Sequence, residues 1–158
     1  ITNGILGYMP PFAGLPAETR WQLVAYVKTL NPDFAHETPV TLAIGWAPIP
    51  PTPESVARGR TMFFQFECHS CHGRDGRGMG DFAHSPELTD SRGLFIQPAD
   101  LTAPASFKNG ASMRNIARSI LTGLDGTPMP SYLDTMEHPE DVWHLVNYIV
   151  SLSRTESP

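Results

Sequence analysis

Cys68-His69-Ser70-Cys71-His72 holds both cysteines of the 158-residue chain and sets an imidazole directly after the second. Thiols three positions apart lie on one side of a helical turn, where both can reach the same planar partner. This C-x-x-C-H spacing is the attachment signature of a c-type haem. Each thiol adds to one vinyl group of a single porphyrin, and His72 then lies beneath the iron as its axial base. Two other chemistries use paired cysteines. A zinc site wants four ligands, and with no further cysteine it would have to recruit His69 and His84 at poor spacing. A thioredoxin-like redox pair needs a strand and helix setting, whereas the flanks here read as helix and glycine-rich loop.

Composition agrees with a fold built partly around a cofactor. Sixteen prolines and thirteen glycines are many for a helical chain, so much of it reads as loop or linker, and a porphyrin supplies apolar area that such a polypeptide lacks. The formal net charge of −5 argues against a nucleic-acid partner. No apolar run approaches the length of a membrane span. The chain starts at Ile1 without an initiator Met or a signal peptide, so a leader or a longer upstream region is expected outside it.

Around the motif, Thr52-Pro53-Glu54-Ser55 reads as a capped helix start, and the helix is expected to run into Cys68 with Val56, Phe63, Phe64 and Phe66 as its apolar supply. The run from Gly73 to Gly80 is too glycine-rich for regular structure and should wrap a porphyrin edge. A backbone carbonyl in the loop beyond it should take the second ring nitrogen of His72, and Pro98 is the expected donor of that carbonyl. Ser112 caps a helix whose stripe is Met113, Ile116, Ala117, Ile120, Leu121 and Leu124. Past it, Met129 stands between Pro128 and Pro130. Proline removes backbone freedom, so the Met129 thioether can be aimed, and Met129 is the expected sixth iron ligand. Among the other methionines Met136 is the serious rival. Met62 and Met113 belong to helix faces, and Met79 is too near His72 to cross to its far side. Pro139-Glu140-Asp141 opens the last helix, with Val142, Leu145, Val146, Ile149 and Leu152 inward.

A C-x-x-C-H, a later Met-Pro loop and a terminal helix in this order resemble class I cytochrome c over about residues 53 to 153. The resemblance implies an all-α fold with long loops around one covalent haem c. It also implies that a glycine and an aromatic of the first helix, matched by Gly59 and Phe63, meet Leu145 and Tyr148 of the last. Haem attachment through thioethers further implies a bacterial periplasmic or otherwise extracytoplasmic location.

The front of the chain repeats the back of the haem domain. Asn3 to Phe12 and Thr122 to Tyr132 each give a glycine-bearing turn, Met-Pro and an aromatic, and Trp21 to Leu30 follows Trp143 to Leu152 in register at Trp, Leu, Val, Tyr and Leu. Repeats of this kind reflect a common supersecondary unit. Residues 1–31 are therefore expected to be the C-terminal half of a preceding cytochrome c-like domain or, failing that, an appended helix. Residues 32–52 read as a proline-rich linker, and 53–155 as the haem domain. On this reading the natural protein is a di-haem cytochrome, this chain is a fragment of it, and Met9 once served the lost haem.

Imidazole and thioether together fill both axial positions and leave no site for substrate. The expected function is single-electron transfer between redox protein partners in a respiratory chain, not enzyme catalysis. Among the partners is the missing N-terminal haem fragment. Two other readings stay open: a haem enzyme or ligand sensor with a labile Met129, and a fixed relay subunit of a larger oxidoreductase complex.

Overall fold

A computed structural model of the chain describes residues 1, 2, 4, 9–36, 38, 42 and 47–153. Residues 3 and 5–8 of the first repeat segment, and 154 and 155 of the expected haem domain, lie outside the described residues. The described residues form helices and turns, with an antiparallel bridge between Thr89 and Phe95. They fall into two compact units, Ile1–Ala43 and Ile44–Pro158.

The first unit carries helix α1, Ala17–Thr29, and a 3-10 turn at Pro32–Ala35. Arg20 donates to the carbonyls of Ala13 and Leu15, which fixes the approach to α1. Lys28 lies 5.2 Å above the Phe34 ring. None of α1's thirteen residues is buried.

The second unit carries α2 (Pro53–Gln65), α3 (Cys68–His72), α4 (Met113–Thr122) and α5 (Val142–Leu152). Both expected caps form: Thr52 Oγ1 accepts from the Ser55 amide and Ser112 Oγ from the Asn115 amide, each at 3.2 Å. The expectation that the first helix runs into Cys68 is corrected. Helix α2 stops at Gln65, and Glu67 adopts a left-handed conformation (φ 56°) that turns the chain before α3 starts. The last helix opens as a 3-10 turn at Pro139–Asp141 and becomes α-helical only from Val142.

Helix α2 packs mainly on α5, and α4 packs on α5 as well. Gly59 sets the crossing. A Cβ there would run into the His144 carbonyl and lie 2.9 Å from Tyr148 Cβ, so only a residue without one lets the backbones approach so closely. One turn on, Phe63 meets Tyr148 with ring centroids 5.3 Å apart. Phe63, Leu121, Val142, Trp143, Leu145 and Val146 form the fully buried centre. Burial of such side chains contributes about 1.5–3 kcal/mol each.

One polar cluster lies inside this packing. Asn147 Nδ2 donates to Ser55 Oγ (2.8 Å) and to the carbonyls of Ile49 (3.0 Å) and Pro50 (3.3 Å). Ser55 Oγ in turn pairs with His144 Nδ1 at 2.8 Å. The segment entering α2 is thereby pinned to α5 through Asn147 Nδ2, while Asn147 Oδ1 is buried without a hydrogen-bond partner.

Candidate haem site

Helix α3 is a single turn, and the loops around it consume its carbonyls. The amides of Gly73, Gly78, Gly80 and Phe82 donate to the carbonyls of His69, His72, Cys71 and Ser70 at 2.7–3.1 Å. The glycine-rich stretch therefore wraps the C-terminal end of α3. The Leu101 amide donates to the Gly76 carbonyl at 2.6 Å and Gln97 Nε2 to the Gly78 carbonyl at 2.8 Å. These bonds draw residues 97–101 against His72.

There His72 Nδ1 lies 2.9 Å from the Ala99 carbonyl oxygen. The expected partner, Pro98, is corrected by one residue: the Pro98 carbonyl points at the Cα of Gly78 instead, 2.5 Å from where a Cβ would stand. A carbonyl can only accept, so Nδ1 carries the proton and Nε2 keeps its lone pair. Burial pushes the His72 pKa below the ordinary imidazole value, with the Ala99 carbonyl opposing. The ring is thus held neutral in the tautomer that can ligate a metal.

Cys68 and Cys71 are unbridged and partly buried. Burial pushes the Cys68 thiol up to about 11, so it stays protonated at neutral pH. Among the described residues no group of three or more His, Cys, Asp or Glu side chains is placed to hold a metal ion, which a four-ligand zinc site would need.

Met129 is half-buried on the loop between α4 and α5. Its carbonyl accepts from the Leu124 amide at 3.1 Å and its amide donates to Thr127 Oγ1 at 3.2 Å. Beyond it, Ser131 Oγ donates to the Leu121 carbonyl, and the amides of Tyr132 and Leu133 donate to those of Ile120 and Leu121. Tyr132 then reaches across: its hydroxyl donates to the Phe66 carbonyl at 3.3 Å, and the Tyr132 and Phe66 rings meet at a tilt of 59° with centroids 5.7 Å apart. Burial, with Cys68 nearby, pushes the Tyr132 hydroxyl up to about 12. The Met129 loop is therefore tied to the residue two positions before Cys68. In the sequence Tyr132 reads only as part of a repeat; an aromatic shortly after Met-Pro is the signal for its tethering role. The rivals are placed too. Met62 and Met136 are buried, beside Phe66 in the groove flanking α2, and Met79 is exposed.

The residues fit a covalent porphyrin: two thiols one helical turn apart, an adjacent imidazole of fixed tautomer, and a rigid loop bearing a thioether. The loops between α3 and α4 also leave Met79, Phe82, Leu94 and Phe95 exposed, apolar area that the polypeptide does not cover. Among the described residues no helix is long and apolar enough to cross a membrane.

Fold and site together define a helical protein built to carry haem c through Cys68 and Cys71. The cytochrome c family model matches residues 56–153, and the chain belongs to that family. A solved chain of the Kuenenia stuttgartiensis reducing HAO-like protein complex Kustc0457/Kustc0458 is similar at 32% identity and a TM-score of 0.84. The match covers 96% of this chain and 68% of that one. No curated protein matches. Family membership gives the coarse function, haem-based electron transfer.

Proposed function

We propose that the protein moves single electrons between redox proteins of an extracytoplasmic respiratory chain, through one low-spin haem c ligated by His72 Nε2 and Met129 Sδ. The observation that carries this is the His72 to Ala99 bond, which gives the imidazole one role and one direction. The bound haem supplies the one-electron iron couple. The chain does the rest. Cys68 and Cys71 fix the porphyrin, Ala99 orients the His72 ring, and Pro128, Pro130 and the Tyr132 tether hold the Met129 thioether in place. Thioether with imidazole raises the potential relative to other axial pairs. A haem iron held by both the His72 imidazole and the Met129 thioether would offer substrate no open coordination site.

In the oxidised holoprotein, a weak absorbance band at the red end, from sulfur-to-iron charge transfer, should disappear in Met129→Ala while the haem stays attached. The reduced wild type should resist carbon monoxide, and the variant should bind it. Ready binding by wild type would favour the enzyme or sensor reading with a labile Met129. One observation supports a second reading, a fixed relay within a larger oxidoreductase assembly: the similar solved chain is described as part of a protein complex. Elution of the native holoprotein with a stable companion, and not alone, decides for it.

A further inference from the structure

We propose that the uncovered face of α1 is the seat of a helix of the α2 kind, a segment that ends in its own C-x-x-C-H and carries a second haem c, with Met9 as that haem's thioether ligand. The role given to Met9 rests on the His/Met ligation read for the haem of the second unit; the seat itself does not.

Three observations carry it. The first is α1 itself. Trp21, Tyr26 and Leu30 are 72%, 63% and 65% exposed, whereas Trp143 and Tyr148, in the same register of α5, are 0% and 6% exposed. Helix α5 hides these positions because α2 and α4 cover it, and α1 carries nearly the same side chains with Trp21, Tyr26 and Leu30 exposed. So much aromatic and aliphatic area on one short helix marks an interaction surface.

The second is the loop that bears Met9. Gly4 has φ 64°, and a Cβ on it would collide with the Met9 carbonyl oxygen and stand 2.7 Å from both the Pro10 carbonyl carbon and the Pro11 nitrogen. Gly123 has φ 69°, and its Cβ would stand 2.7–2.8 Å from the Met129 carbonyl oxygen, the Pro130 carbonyl carbon and the Ser131 nitrogen. Two loops of different length thus close in the same way, a left-handed glycine packed against the backbone of Met-Pro. Amphipathic helices recur by chance; a matched loop closure before each is a second, independent likeness.

The third is the occupant. By its likeness to α5, α1 takes a helix with a glycine at the crossing, as α5 takes α2 where Gly59 passes over His144 and Tyr148, positions that Gln22 and Tyr26 hold in α1. A second copy of α1 does not supply this, since α1 contains no glycine. The Kuenenia stuttgartiensis chain that matches 96% of this one is covered over only 68% of its own length, so a chain of this architecture occurs with further polypeptide beside it.

The test uses the holoprotein isolated from its native host, with Gln22 replaced by a photoreactive phenylalanine analogue. Irradiation should capture a haem-bearing C-x-x-C-H peptide, and the intact assembly should contain two haems per copy of this chain. Tyr26→Ala should reduce capture at least about tenfold, the scale of a lost aromatic contact. Met9→Ala should remove about half of the red charge-transfer absorbance and Met129→Ala the other half. Capture of a second copy's α1, capture of a haem-free segment, or one haem per chain overturns the proposal. A band indifferent to Met9 but halved or abolished by Met129→Ala overturns the role given to Met9. A band indifferent to Met129 defeats the ligation reading of the second unit, and capture then still decides the seat.

Discussion

Glu67 is the only described non-glycine residue with positive φ, and it separates the helix that packs from the turn that binds. A left-handed conformation costs a side-chain-bearing residue about 1–2 kcal/mol. The surroundings hold it there: the Glu67 carbonyl accepts from both the amide (2.9 Å) and the hydroxyl (2.6 Å) of Ser70, and its own amide donates to the Phe64 carbonyl at 3.1 Å. Glu67→Val, β-branched and still less tolerant of this region, should lower the denaturation free energy of the holoprotein by about 1–2 kcal/mol. Glu67→Gly should match or exceed the wild type. Equal stability of the two variants would show that the turn is unstrained. Ala99 makes a related point. The need for a carbonyl on His72, and the loop that supplies it, were readable; the register within that irregular loop was set by the bonds of Leu101 to Gly76 and Gln97 to Gly78, which no local pattern encodes.

Among the elements, helices α4 and α5 were legible from their apolar spacing, and the starts of α2 and α4 from Thr52 and Ser112, because capping and amphipathicity are local. The crossing of α2 on α5 is not local: the sequence leaves Gly59 open between mere tolerance and a close crossing, and only the resemblance names Leu145 and Tyr148 as what it meets. Ala substitution in a helix gains about 1 kcal/mol of propensity over glycine, yet here the added methyl meets the α5 backbone. Overpacking costs about 1–3 kcal/mol, and more where backbone must yield. Gly59→Ala should therefore lower stability by about 2 kcal/mol or more, read as a lower denaturant midpoint at unchanged m-value. A gain in stability would mean that the two helices do not cross this closely. The expected break-free path from α2 into Cys68 failed for the same reason: nothing in the apolar spacing records a single left-handed residue.

At the scale of the whole molecule, acid stability follows from the His144 cluster, which joins α2, α5 and the segment ahead of α2. Burial chiefly, and then Arg58, push the His144 pKa below its ordinary 6.5, while Asp141 pulls the other way. The folded state thus takes up this proton later than the unfolded chain does. The contribution is complete above about pH 6.5 and is lost as pH falls through the lower folded value. Thermal midpoints of the holoprotein should fall between pH 7 and 5, and His144→Gln, which can still accept from Ser55, should flatten that slope. An unchanged slope would place the proton uptake elsewhere. Asp90 and Asp100, also held below the ordinary carboxylate value, act only at more acid pH.

The amino-acid order alone pointed to haem c, determined the family and the helical stripes, and carries a likeness between the front of the chain and its Met129 loop and last helix. Each of these is written in short-range spacing: thiols and imidazole on adjacent positions, apolar residues at helical period, Met-Pro ahead of a Trp helix. The tertiary structure alone decided which carbonyl orients His72, that Tyr132 ties the Met129 loop to the turn before Cys68, and that Trp21 and Tyr26 of α1 are exposed while Trp143 and Tyr148 of α5 are enclosed. Those outcomes depend on contacts between residues tens of positions apart. Such contacts are fixed by close packing and hydrogen-bond satisfaction in three dimensions, and a linear pattern does not carry them.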